Sequence, residues 1–97
     1  MTRVTLLYAA DCPNWPTVDA WLRQLTQELG LEVERRQVTT LHEAEQLGFA
    51  GSPTVLIEGR DPFPSEGVAS LSCRLYDTEH GYQGIPPRHE LEQALRR

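Results

Sequence analysis

Two thiols carry most of the chemistry available to this chain of 97 residues. Cys12 stands in Asp11-Cys12-Pro13-Asn14-Trp15 and Cys73 in Leu71-Ser72-Cys73-Arg74. Proline favours the first helical position, so a helix is expected to start at Pro13, directly after Cys12. A thiol there faces unsatisfied backbone N–H groups and the positive end of the helix macrodipole, and both favour the thiolate. Asp11 acts the other way, because a neighbouring carboxylate disfavours a second anion. Cys12 is therefore a candidate nucleophile, and the alternative is a small inert residue packed at the helix start. His42, His80 and His89 fit no metal-ligand spacing with either cysteine. A soft metal or metalloid held by Cys12 with Cys73 is a further alternative.

Composition removes other chemistries. All 9 basic residues are arginine, so a Schiff-base lysine and a P-loop lysine are excluded. The net charge of −5 argues against nucleic-acid binding, which depends on neutralising phosphates. No stretch approaches the roughly 20 apolar residues of a membrane span. The apolar run before Cys12 is too short for a signal peptide, and Asp11 fits no small-residue cleavage site. A cytoplasmic protein is expected, in which two thiols stay reduced unless they cycle.

The elements that must position these thiols are legible as a pattern over one domain, residues 1–97. Residues 3–9, RVTLLYA, read as a buried strand. Trp15, Val18, Leu22, Leu25 and Leu29 form one apolar helical stripe, closed by Gly30. Trp15 on that stripe reads first as packing at the core and second as a surface for substrate stacking. Residues 31–38 alternate as a strand with one wet face. Thr40 and Glu43 make a capping box for a short helix over 41–47, ended by Gly48. Gly51-Ser52-Pro53 is a tight turn into the strand 54–58, TVLIE. A Gly- and Pro-rich loop follows over 59–70, in which Arg60-Asp61-Pro62-Phe63 either lids the site or merely connects. Residues 71–76, LSCRLY, return to strand character, and residues 88–96 form the last helix. The order β-α-β-α-β-β-α predicts an α/β fold: a mixed four-stranded sheet, parallel across its first crossover and antiparallel in its last pair.

This order, with a cysteine where the first strand feeds the first helix and with EAEQLGFAGSPTVLIEGR over 43–60, resembles the thioredoxin-like superfamily. The resemblance covers nearly the whole chain. More narrowly, it is to small bacterial thioredoxin-family proteins with a single-cysteine C-P-x-W motif and a later SLSCR segment. It implies a cis peptide bond before Pro53. It also implies that Ser52, whose backbone matches the one that receives partner peptide in the family, forms a substrate platform with Asp11, Pro13, Trp15 and Pro53. The chain departs from the family's C-x-x-C in placing Trp15 where the second cysteine stands. The implied activity is then monothiol chemistry through Cys12, as thiol–disulfide exchange or reversible thiol capture. Its partner would be a small thiol or a protein disulfide, and no cofactor is implied. A binding module that keeps the fold and has lost redox activity is the rival.

Cys73 is a possible resolving thiol only under a condition. A strand antiparallel to 54–58 starts at the end of the sheet far from Pro53 and Cys12. A direct Cys12–Cys73 bond then requires the loop 59–70 to carry the register back, or requires GYQG rather than LSCRLY to complete the sheet.

Overall fold

The computed structural model describes residues 2–64 and 67–96. Ser65 and Glu66 of the expected loop lie outside the described residues, as do the two terminal residues. Strand β1 (Arg3–Tyr8) runs down the centre of a three-stranded sheet. Strand β2 (Glu32–Gln37) lies parallel on one side, with Leu6 opposite Arg35. Strand β4 (Thr54–Ile57) lies antiparallel on the other, with Leu6 opposite Val55.

The two faces of β1 explain the layers. Successive strand side chains point to opposite faces. Val4 and Leu6 join Val18, Leu22 and Leu25 of helix α1 (Trp15–Leu29) and Leu91 and Leu95 of helix α3 (Arg88–Leu95) in one buried cluster. Leu7 joins Val38, Phe49 and Ala44 of helix α2 (Leu41–Leu47) in a second cluster. Helices therefore cover both faces of a mixed sheet. None of the helices among the described residues is long and apolar enough to cross a membrane.

Helix ends follow the residues. The Thr40 hydroxyl accepts the Glu43 N–H at 3.1 Å, which satisfies an otherwise orphaned donor at the start of α2. The Glu43 carboxylate reaches back to the Thr39 N–H at 2.9 Å, and this bond, helped by Arg36, holds its pKa below the usual carboxylate value. Helix α1 begins at Trp15 rather than at Pro13, with Asn14 as its cap and Pro16 in the first turn. Two prolines compete for the helix start, and Pro16 takes it. Pro13 stays in the turn that precedes the helix, where the Cys12 N–H bonds the Ala9 carbonyl at 3.0 Å.

The C-terminal part differs from the expected architecture. Among the described residues the sheet holds three strands, and the segment 71–76 does not complete it as a fourth. Its first part forms strand β5 (Ser70–Cys73), which pairs parallel with the short strand β3 (Ala50–Ser52). Its end forms strand β6 (Tyr76–Thr78), which pairs antiparallel with β7 (Gly81–Gln83), so GYQG belongs to a separate hairpin. The physical reason lies at Arg74. Alternation predicts that Leu71 and Leu75 face the core, yet they are 37% and 67% exposed while Arg74 is 5% exposed. The polar partners of Arg74 override the apolar pattern.

Candidate dithiol site

The site is built where β1 ends, where β3 meets β4, and where β5 ends. The Ser52–Pro53 peptide is cis, and both residues are buried. Ser52 is engaged on every side. Its hydroxyl accepts the Ala9 N–H at 3.0 Å, which fixes the end of β1. Its carbonyl accepts the Arg74 N–H at 2.9 Å and the Cys12 thiol at 3.4 Å. The carbonyl of Ser52, whose backbone the resemblance offers to a partner peptide, is thus taken up within the chain.

Parallel pairing sets Cys73 opposite Ser52. The two sulfurs stand 2.8 Å apart, with the Cys73 thiol donating to Cys12. This overturns the expectation that Cys73 lies at the far end of the sheet: β5 ends at Cys73 and pairs with β3, which ends at Ser52, so Cys73 is a strand end beside Cys12 and not the start of a strand far from it. Both cysteines are free thiols, Cys12 buried and Cys73 exposed. Hydrogen bonding to Cys12, helped by partial desolvation, holds the Cys73 pKa above the ordinary thiol value.

The remaining predicted residues divide. Trp15 is half-buried, packs against the core and stacks on Tyr8 with ring centroids 4.1 Å apart. It is thus a rim aromatic at the start of α1, held by Tyr8. Asp11 and Pro13 are exposed on the same turn. The thiol lies ahead of the Asn14 cap and outside the helix, so its sulfur has Ser52 and Cys73 as its partners. His42, His80 and His89 are exposed. Among the described residues no three His, Cys, Asp or Glu side chains gather where a metal ion would be held.

Two residues that organise the site, Arg74 and Tyr76, are missing from the sequence reading, and Gly51 enters it only as part of a turn. Arg74, next to Cys73, is buried and donates to Asp61 Oδ2 at 2.6 Å, to Thr54 Oγ1 at 3.2 Å and to the Phe63 carbonyl. Its guanidinium also lies 4.3 Å from the centre of the Tyr76 ring. Tyr76 in turn donates to the Pro53 carbonyl, and burial pushes its phenol pKa up. The segment Asp61–Phe63 is therefore strapped to the residue that follows Cys73. Gly51 has φ of +124°, and a Cβ there would stand 2.8 Å from the Arg74 Cβ. Only glycine permits β3 and the end of β5 to approach this closely. The available signal was a single arginine inside a strand-like run, which needs a partner of opposite charge if it is buried.

Chemically, the arrangement offers two thiols within a small movement of the disulfide length of about 2.05 Å. One sulfur is open to water and the other is sealed beneath it. Comparison with known proteins finds no matching family model, no matching curated protein and no matching solved structure.

Proposed function

We propose that this chain is a thioredoxin-like protein that carries out thiol–disulfide exchange through the Cys12–Cys73 pair. The observation that carries the reading is the 2.8 Å contact between the two sulfurs beside Ser52–Pro53. The contact moves the proposal from a single thiol at Cys12 to a dithiol whose second member comes from β5 instead of from the first turn of α1. The reaction balances simply. An external disulfide RS–SR is reduced to two RSH, and the two protein thiols give up their hydrogens to form one internal S–S bond. The attacking species at each step is a thiolate, which forms a new S–S bond to one sulfur and expels the other as a thiolate that takes up a proton.

The same contact ranks the soft-metal alternative lower. Two metal–sulfur bonds of about 2.3 Å in a linear arrangement hold their sulfurs about 4.6 Å apart, well beyond the observed spacing. A binding module without redox activity needs neither the contact nor the free state of both thiols.

The test is incubation of the reduced protein with increasing ratios of oxidised to reduced glutathione, followed by acid quench and intact mass measurement. The expected result is a reversible loss of two hydrogens, abolished by Cys12→Ser and by Cys73→Ser. A protein that only accumulates glutathione adducts, or does not change mass, sinks the reading.

A further inference from the structure

The two thiols are not equivalent, and the asymmetry fixes the order of events. Cys12 is 3% exposed, whereas Cys73 is exposed at the end of β5. Cys12 is covered by the features already described: its thiol donates to the Ser52 carbonyl, and Cys73 stands against its other side. Attack on a disulfide requires the thiolate to line up with the sulfur it displaces, so access decides which thiol reacts first. The Cys12 proton is also engaged by the Ser52 carbonyl at 3.4 Å, so this thiol must leave that bond before it can attack.

The surroundings of Cys73 also suit an incoming molecule. Leu71 and Leu75, on either side of it in the chain, are exposed. The Ser52 edge, in contrast, is closed by β5 itself.

We infer that Cys73 is the entry thiol and Cys12 the resolving thiol of the exchange. The Cys73 thiolate attacks one sulfur of the external disulfide and releases the other as a thiol. The resulting mixed disulfide places the Cys73 sulfur next to Cys12. Cys12 passes its proton to solvent, attacks the Cys73 sulfur and releases the second thiol, which leaves the internal disulfide. This order reverses the one expected from position alone, in which the cysteine before the first helix attacks. The inference rests on the dithiol reading above.

The test uses 4,4′-dithiodipyridine, a small neutral disulfide whose released thiopyridone absorbs strongly, against the full chain. The wild type should release two equivalents and end two hydrogens lighter. Cys12→Ser should release one equivalent at no less than the wild-type initial rate and hold a stable adduct at Cys73. Cys73→Ser should react at least about tenfold more slowly than Cys12→Ser, because its remaining thiol is buried. A smaller difference, or the opposite order, overturns the assignment. A second measurement needs no variant: rapid quench of the wild type and cleavage after arginine places Cys12 in residues 4–23 and Cys73 in residues 61–74. The earliest adduct should lie in 61–74, and an earliest adduct in 4–23 overturns the order. A wild type that ends carrying two pyridyl adducts, with no internal bond, instead overturns the dithiol reading itself.

Discussion

Cys12 and Cys73 meet at one point but are held there by two different kinds of structure. Cys12 hangs from the turn between β1 and α1, two elements locked together by the apolar core of Val4, Leu6, Val18, Leu22 and Leu25. Cys73 ends a four-residue strand with few ladder bonds, and what fixes it is polar: Arg74 clasping Asp61, Thr54 and the Phe63 carbonyl. The apolar side holds by area, so its cost of disruption is spread through the whole fold. The polar side holds by one guanidinium, so its loss acts locally. One thiol is anchored to the global stability of the protein and the other to a local clasp.

That contrast breaks or stands on paired substitutions. Leu22→Ala should cost about 3–4 kcal/mol of unfolding free energy, read from urea denaturation. Among molecules that remain folded, it should leave the yield of the Cys12–Cys73 bond under a fixed glutathione ratio close to wild type. Arg74→Ala should cost about 3 kcal/mol, near the lower end for breaking a buried pair because the Asp61 side chain keeps 23% of its exposure. Its internal-disulfide yield should fall clearly below that of Leu22→Ala. Equal disulfide yields in the two variants would erase the distinction.

A smaller perturbation sharpens the same point. Gly51→Ala places a Cβ against Arg74 in a backbone conformation that side chains rarely adopt. The expected cost is about 2 kcal/mol, together with weaker protection, and so faster hydrogen exchange, of the Arg74 amide than in the wild type. Unchanged protection at Arg74 would mean that the β3–β5 approach is looser than the geometry implies.

The mildest probe is pH. The Cys73 pKa is raised, chiefly by its bond to Cys12, so its thiolate fraction at neutral pH is lower than that of a free thiol. Its alkylation rate should keep climbing past the ordinary midpoint of about 8.5. Cys12→Ala, which removes the sulfur partner, should move the midpoint down. A midpoint at or below the ordinary value in the wild type would contradict the sulfur–sulfur hydrogen bond.

The boundary between the two regions is also the boundary of what the residues disclose on first reading. The β1 run, the α1 stripe, the Thr40 cap and the Gly30 and Gly48 stops each depend on neighbours a few positions away, and each stands where local chemistry puts it. The start of α1 slipped because Pro13 and Pro16 are both competent to begin a helix, and local preference alone does not choose between them. The direction of β5 was hidden for a deeper reason. It depends on a contact between Arg74 and Asp61 across the loop, and on an absent side chain at Gly51, neither of which leaves a periodic trace. Leu71 and Leu75 even mislead, since they advertise an inward face that a buried arginine overrules. Half of the candidate site was therefore legible as a position, and its second half only as a residue type.

The Ser52 carbonyl joins the two regions through a single atom. A carbonyl oxygen has two lone pairs, and here one takes the Arg74 amide and the other the Cys12 thiol. Oxidation of the pair removes the thiol proton and leaves the amide bond in place. The buried oxygen then loses one of its two donors, which penalises the disulfide state by less than about 1 kcal/mol, since S–H is a weak donor. Under the proposed exchange, this one contact would favour the reduced form slightly, through a backbone atom that takes no part in the exchange of electrons.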